Sequence, residues 1–279
     1  MATLRATRLV PFADATSESL VRWINRALEL LWLLTLLLVP LAVVRPGDMV
    51  SSTLIAYVEV PKIALLRTLV GLMAMLWLIE LGVRNRFAFA ASFTELRIQR
   101  WPRQLLVRLL GWLRRQPARW LILAVGLFAG STILSTVLST SFDVSMWGEI
   151  PGEDGYAAYT VAAYVLLFAV VASHLRTRSQ LWRLMGAVVG TGVLVAGYAI
   201  LQYYGQDLLD VMEPLSGSRA TSTMGNAILA GSVLLLTVSV SLIAAAVSLP
   251  GPIRNWGFWW KLLLWALVLA VQLSGLVLT

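Results

Sequence analysis

The chain has 279 residues, of which 59% are hydrophobic and 13% charged, and its mean hydropathy is +0.80. Soluble domains carry about 25% charged residues, and a water-soluble fold could not hide this much apolar surface. The absence of cysteine excludes disulfides, thiol catalysis and cysteine-based zinc sites. The net charge of +8 comes from residues that flank apolar stretches, so it indicates membrane orientation rather than nucleic-acid binding.

Seven segments are long and apolar enough to cross a bilayer core, which needs about 20 helical residues. They do not alternate as barrel strands would. The sequence therefore predicts an all-α, polytopic transmembrane bundle of about seven helices. Residues 1–24 form a cytoplasmic segment and residues 25–279 the transmembrane domain, with spans at 25–44, 61–82, 120–138, 156–173, 184–203, 227–249 and 258–279.

The basic residues set the orientation of these spans. With the N-terminus inside, 18 of the 22 Lys and Arg residues fall in cytoplasmic segments. Only Arg45, Lys62, Arg67 and Arg219 lie outside or near the outer end of a helix. This bias follows the positive-inside rule loop by loop. We also find no cleavable signal peptide in residues 1–20, so the first span is expected to remain as an anchor.

The segment 97–117 differs from the spans. Its leucines and Trp112 form an apolar stripe, with arginines largely opposite, between Pro102 and Pro117. This pattern predicts a basic amphipathic helix in the cytoplasmic headgroup layer. Docking of a soluble partner is the alternative interpretation.

The last predicted span stops without a basic residue, an aromatic belt or a polar tail at its outer end. We therefore expect a truncated chain that continues beyond Thr279. The alternative is a natural terminus at the outer interface.

Few ionisable residues fall within the spans. Glu29 and Glu80 are predicted near helix ends, where a carboxylate can reach the interface, and His174 is predicted to be interfacial. Lys62 can snorkel to the outer headgroups. Arg67 lies nearly two turns into the second span, and either snorkelling or anion binding explains it.

Two glycine pairs, Gly126 with Gly130 and Gly186 with Gly190, match the small-xxx-small pattern. This pattern predicts close helix packing within one bundle.

The outer segment 203–226 carries the main candidate site. Arg219 is followed by hydroxylic residues, and Asn226 opens the sixth span with its helix N-terminus pointing outward. An arginine, hydroxyls and free helix N–H groups together suit a phosphate. In the alternative interpretation these residues are purely structural. Thr223 or Asn226 is then an ordinary N-cap, and Arg219 pairs with Asp210 or Glu213.

Four stretches resemble the O-antigen ligase family of bacterial membrane glycosyltransferases, which includes polymerases and protein O-oligosaccharyltransferases. They are Val60-Pro61-Lys62 with Leu65-Leu66-Arg67, Ser145-Met146-Trp147-Gly148 with Gly155-Tyr156, residues 199–205, and residues 219–226 with Leu229-Ala230-Gly231. The chain departs from the family where Ala227-Ile228 replace a Pro-Asn pair. The resemblance covers the N-terminal half of that fold.

The resemblance implies glycan transfer from an undecaprenyl-diphosphate donor to lipid A-core, another glycan or a protein, at the outer face of the bacterial inner membrane. Arg219, Thr223, Asn226, Arg67 and Lys62 are the expected donor-diphosphate ligands, and neither metal nor cofactor is implied. The family's catalytic histidine would lie beyond Thr279, so this chain alone is expected to be inactive. The partners are membrane lipids, donor and acceptor, with no nucleic acid.

Two other classes stay open. One is half of a membrane transporter, which predicts buried ion-binding groups. The other is a non-catalytic membrane scaffold that docks partners through residues 97–117.

Overall fold

The computed structural model describes residues 12–45, 55–84, 116, 118–148, 155–209, 219–249 and 256–279. These residues form helices and connecting turns, with no β-strand among them. The helices are α1 (Phe12–Leu38), α2 (Val60–Arg84), α3 (Ala118–Val137), α4 (Phe142–Trp147), α5 (Ala158–His174), α6 (Arg178–Tyr203), α7 (Ala227–Ser248) and α8 (Trp256–Leu278). A π-helical turn, Ile55–Glu59, runs into α2, and a 3-10 turn, Ser222–Met224, precedes α7. The predicted all-α fold class is confirmed.

Among the described residues, five helices are long and apolar enough to cross a membrane, and the chain is therefore a multi-pass membrane protein. These five stretches are Tyr57–Val83, Arg119–Val137, Arg178–Tyr203, Ala227–Ser248 and Trp256–Leu278. They correspond to the second, third, fifth, sixth and seventh predicted spans. The fourth predicted span is α5, an apolar helix of 17 residues.

The first predicted span agrees least well with its helix. It was expected to run over residues 25–44, but α1 begins at Phe12, inside the predicted N-terminal segment, and ends at Leu38. Pro40 explains the early end, because proline lacks an N–H and disfavours the helical conformation in Val39 before it. A turn follows, in which the Leu41 amide donates to the Leu38 carbonyl at 3.1 Å. The predicted amphipathic helix 97–117 lies outside the described residues, apart from Gln116.

The helices pack into two adjoining groups. In the first, α1, α2 and α5 bury Leu28, Trp32, Met73 and Val170, each with no exposed surface. In the second, α6, α7 and α8 bury Val195, Ala196, Ala230 and Leu234. The Thr191 hydroxyl joins the groups by donating to the Leu36 carbonyl of α1 at 2.9 Å.

Close helix approach occurs at glycines other than those predicted. Added Cβ atoms at Gly126, Gly130, Gly186 and Gly190 would meet no atom within 4 Å in the described part of the chain, so the small-xxx-small prediction is wrong there. The tight contacts lie instead at two other glycines, Gly192 and Gly275.

A Cβ at Gly192 would overlap the side chains of Thr237 and Gln272, and one at Gly275 would lie 2.6 Å from the Ala196 Cβ. The buried Gln272 crosses the same interface. It accepts from the Ser241 hydroxyl at 2.8 Å and donates to the Val189 carbonyl at 3.2 Å. The interface of α6, α7 and α8 is therefore set by this residue and the two glycines.

The connections predicted to face outward gather at one end of the bundle. There the Val44 amide donates to the Tyr57 carbonyl at 3.0 Å, and the Ala220 amide donates to the Leu278 carbonyl at 2.9 Å. The predicted cytoplasmic termini of α1, α2, α5 and α6 meet at the opposite end. We call these two ends the outer end and the inner end.

Candidate functional site

The candidate site is built on residues 219–226, which we call the inserted segment. Ser222, at its centre, has no exposed surface, and its hydroxyl donates to the Val195 carbonyl at 2.7 Å. Val195 precedes the end of α6 by about two turns, or roughly 12 Å of helix. The segment therefore penetrates the bundle from the outer end. Non-helical backbone at such depth requires that the protein satisfy its polar groups.

The backbone of Ser222 adopts a conformation that side chains disfavour. Its φ is +51°, in the left-handed region, while Gly225 takes φ +65° at no steric cost. Two contacts with α6 hold Ser222 there, since its amide donates to the Gln202 Oε1 at 2.7 Å in addition to the bond of its hydroxyl. Strained residues persist only where their surroundings over-determine them, and they cluster at binding and switch sites.

Lys62 fastens the inserted segment to the start of α2. Its ammonium donates to the carbonyls of Thr223 at 2.6 Å, Ala42 at 2.9 Å and Val58 at 3.2 Å. An ammonium has three N–H donors, and all three are used here. The predicted role of Lys62 as a diphosphate ligand would require it to release one of these carbonyls, and that role stays a prediction.

Thr223 and Asn226 also have partners within the fold. Thr223 is buried, and its hydroxyl donates to the Pro40 carbonyl at 2.9 Å. The exposed Asn226 caps α7 by accepting from the Ile228 amide at 2.8 Å, as the purely structural interpretation expected. Both residues thus support the segment, and their predicted contact with a donor stays untested.

Arg67 is half-buried and reaches the first turn of α5. Its guanidinium donates to the Thr160 hydroxyl through two nitrogens and lies over the Tyr159 ring, 4.7 Å from the centroid. Its third nitrogen, Nη1, has no hydrogen-bond partner among the described residues. The guanidinium is therefore held in a fixed orientation at the outer end, and its Nη1 can donate to a ligand. This arrangement suits anion binding.

Arg219 is the exposed residue at the start of the inserted segment. It makes no hydrogen bond or ion pair with any residue that the structure describes. The purely structural interpretation pairs Arg219 with Asp210 or Glu213. Both residues lie outside the described residues, so that pairing is untested.

Gln202 has a role that was not predicted from the sequence. This residue is 7% exposed, and its Oε1 orients Ser222 by accepting from the Ser222 amide. The Thr221 hydroxyl is buried and has no hydrogen-bond partner among the residues that the structure describes. Nearby, the Tyr198 hydroxyl donates to the Asp207 carboxylate and accepts from the Leu209 amide at 3.2 Å. Gln202 lies within one of the stretches that resemble the family, and that was the only signal for it.

The inner end holds a second polar cluster. Glu80 and His174 lie near the ends of their helices, as predicted, but both are buried within the protein, at 3% and 6% exposure. Their side chains contact each other across the interface of α2 and α5, where the His174 Nε2 lies 2.6 Å from the Glu80 Oε2. No group of three or more His, Cys, Asp or Glu residues that could hold a metal occurs in the described ranges.

No protein-family profile, curated protein or solved structure matches this chain. Its fold class and membrane character follow from its own helices. The resemblance to O-antigen ligases rests on the sequence motifs alone.

Proposed function

We propose that this chain binds the diphosphate of a lipid-linked glycan donor, as part of a membrane glycosyltransferase of the O-antigen ligase type. The acceptor would be lipid A-core, another glycan or a protein, at the outer face of the bacterial inner membrane. One observation carries the proposal. Arg219 is an exposed arginine mounted on a segment whose next residues are fastened to four helices or their ends.

The fastening runs through successive residues of the inserted segment. The Ala220 amide binds the end of α8, Ser222 binds α6, and Thr223 binds both Lys62 of α2 and the turn after α1. A cation on a rigid segment loses less conformational freedom on binding than one on a mobile loop. The Arg219 guanidinium can bind phosphate oxygens bidentately and stabilise the charge that develops as the diphosphate leaves.

Arg67 is the proposed second cation of the site. Thr160 and Tyr159 hold its guanidinium at the outer end of α5, and Nη1 makes no hydrogen bond to the described part of the chain. Lys62, Thr223 and Asn226 act in this proposal mainly by holding the inserted segment. Two arginines with separate supports match a diphosphate, which carries two groups of anionic oxygens.

Lipid binding tests the proposal directly. The purified chain in nanodiscs would be titrated with undecaprenyl diphosphate, and with undecaprenol as a neutral ligand of the same tail. We expect Arg219→Ala to weaken diphosphate binding about tenfold or more, which corresponds to roughly 1.4 kcal/mol. Arg219→Lys should lose a similar amount, because lysine offers only a point charge. Undecaprenol binding should not change.

Arg45→Ala is the matched control. Arg45 is also an exposed arginine at the outer end, and it donates to the Leu208 carbonyl at 3.3 Å. Its loss removes the same charge without touching the inserted segment. Equal affinity of Arg219→Ala and the unmodified chain for the diphosphate would refute the proposal. Glycan transfer in membranes that carry the same variants would test the enzymatic step.

A transporter half is the second candidate, and the buried Glu80–His174 pair is the observation that favours it. Ionisable residues buried within membrane helices often serve ion or proton pathways. Diphosphate binding that ignores Arg219, together with proton-dependent flux through liposomes containing the chain, would favour the transporter over the glycosyltransferase.

A further inference from the structure

Four aromatic side chains lie around Arg67 at the outer end of the bundle. We call Trp147, Tyr156, Tyr159 and Tyr164 the aromatic cluster. The Arg67 guanidinium lies over the Tyr159 ring, 4.7 Å from its centroid, and the Trp147 ring lies 5.3 Å from the Tyr159 ring, tilted by 52°. The Tyr164 hydroxyl interacts electrostatically with Tyr156 and with Arg67. The cluster therefore gathers around one cation.

Contacts with neighbouring helices hold the backbone of the aromatic cluster in place. The Ser145 hydroxyl of α4 donates to the Thr136 hydroxyl of α3 at 3.2 Å, which ties the short helix α4 to a longer one. Gly155, in the turn before α5, lies against α2, because an added Cβ there would be 4.0 Å from the Ile63 Cδ1. Rings on such fixed elements bind a ligand with little loss of conformational freedom.

The rings of the aromatic cluster are accessible from outside the bundle. Trp147, Tyr159 and Tyr164 are 46%, 40% and 47% exposed, and Tyr156 is 92% exposed. A guanidinium is costly in hydrocarbon, so we expect Arg67 and the rings around it to lie at the level of the headgroups and water. Exposed tyrosine and tryptophan at that level either anchor the protein in the interface or bind a ligand. The cation at the centre of the cluster favours a ligand.

A sugar that carries a diphosphate matches this combination of a cation and aromatic rings. A pyranose presents C–H groups on its faces, which pack against the electron-rich face of an aromatic ring. It presents hydroxyls at its edge, which the hydroxyls of tyrosine can bond. In a lipid-linked glycan the first sugar is bonded directly to the diphosphate, so a cation that binds the diphosphate brings that sugar next to itself.

We propose that the aromatic cluster is the subsite for the first sugar of the lipid-linked donor. This inference rests on the proposed function, because it requires the diphosphate to bind beside Arg67. Trp147 is the main stacking surface, since the guanidinium already covers one face of Tyr159. Tyr156 and Tyr164 supply hydroxyls for the edge of the sugar. Because every pyranose has C–H groups on its faces, the subsite distinguishes a donor with a sugar from one without it, more than one sugar from another.

Two lipids with the same tail separate the sugar subsite from the diphosphate site. The purified chain in nanodiscs would be titrated with undecaprenyl diphosphate and with undecaprenyl-diphosphate N-acetylglucosamine. We expect the unmodified chain to bind the sugar-bearing lipid about threefold to tenfold more tightly. Trp147→Ala should abolish this preference and leave the affinity for undecaprenyl diphosphate unchanged. Arg219→Ala should instead weaken the binding of both lipids.

Two further variants separate stacking from anchoring in the membrane interface. Trp147→Phe keeps an aromatic face and should keep most of the preference for the sugar. Tyr204→Ala is the matched control, because Tyr204 is a 73% exposed aromatic residue at the end of α6, and it should keep the preference in full.

The outcomes distinguish this inference from the proposed function. Equal affinity of the unmodified chain for the two lipids would overturn the sugar subsite, and this comparison needs no variant to fold. An equal loss of the preference in Trp147→Ala and Tyr204→Ala would also overturn it. In both cases the diphosphate site stands as long as Arg219→Ala weakens the binding of both lipids. Unchanged binding of both lipids by Arg219→Ala would refute the proposed function and this inference together.

Discussion

The outer and inner ends of the bundle accommodate buried charge in different ways. At the outer end, Lys62 donates only to carbonyls, and Arg67 to a hydroxyl beside an aromatic ring. At the inner end, acids and bases meet directly, in Glu80 with His174 and Glu29 with Arg183. Neutral acceptors satisfy hydrogen bonds without cancelling charge, whereas an acid–base pair does both. The outer end thus keeps positive charge that suits an anionic ligand, whereas the inner end balances its charges within the protein.

The comparison predicts the largest loss of stability at Lys62. Lys62→Met would leave the Thr223 and Ala42 carbonyls without their donor, inside the bundle and outside any helix. Unsatisfied buried acceptors cost about 1–3 kcal/mol each, so we expect a loss of roughly 2–4 kcal/mol after relief of the buried ammonium. Unfolding in mixed micelles by a denaturing detergent would measure it.

The chain offers a matched control in Lys261, its only other lysine. Lys261 is exposed and makes a single contact of 3.5 Å with the Ser248 carbonyl. Lys261→Met should change stability by no more than about 0.5 kcal/mol. Similar effects from the two substitutions would show that the lysine clamp does not hold the outer end together.

An intermediate loss is expected at the inner end. His174→Leu removes the imidazole and with it the buried contact between His174 Nε2 and the Glu80 carboxyl. We expect a cost of about 1–3 kcal/mol. Replacing Glu80 by Leu as well should recover part of this loss, because removing both partners of a buried pair is often nearly neutral. The same unfolding assay applies. A double variant that loses more stability than the two single variants together would contradict the pairing.

The smallest effect is expected at the exposed pair of the inner end. The Arg183 side chain is 52% exposed, although its Nε lies 2.6 Å from the Glu29 Oε1. Exposed ion pairs contribute about 0–1 kcal/mol and are weakened by salt. Arg183→Leu should therefore cost less than about 1 kcal/mol, and less still at high salt. A cost equal to that of His174→Leu would show that burial is not what separates the two pairs.

Helix location was the most predictable property of the chain. The predicted sixth span, 227–249, differs from α7 by one residue, and the seventh differs from α8 by about two at one end and one at the other. Span 184–203 began too late because α6 starts at Arg178, after the Thr177 capping box with Gln180. A polar first turn carries no hydropathy signal, so apolar length alone could not locate that start.

The candidate site was less predictable than the helices. Residues 219–226 were identified as part of the key outer segment 203–226, and Asn226 as an N-cap candidate. Their insertion into the bundle, the clamp by Lys62 and the partnership of Ser222 with Gln202 were not. Lys62 and Thr223 are far apart in the chain, and no local pattern indicates that an amine will meet a particular carbonyl.

By itself, the sequence determined the all-α membrane class and the limits of most helices, because each helix satisfies its own backbone and needs only local apolar length. Only the tertiary structure decided which glycines make the close contacts, whether Glu80 and His174 are buried, and which carbonyls accept the hydrogen bonds of Lys62. Those outcomes depend on the rotation of each helix about its axis and on the partner it faces. Where most of the surface of a helix is apolar, its composition determines neither its rotation nor its packing partner.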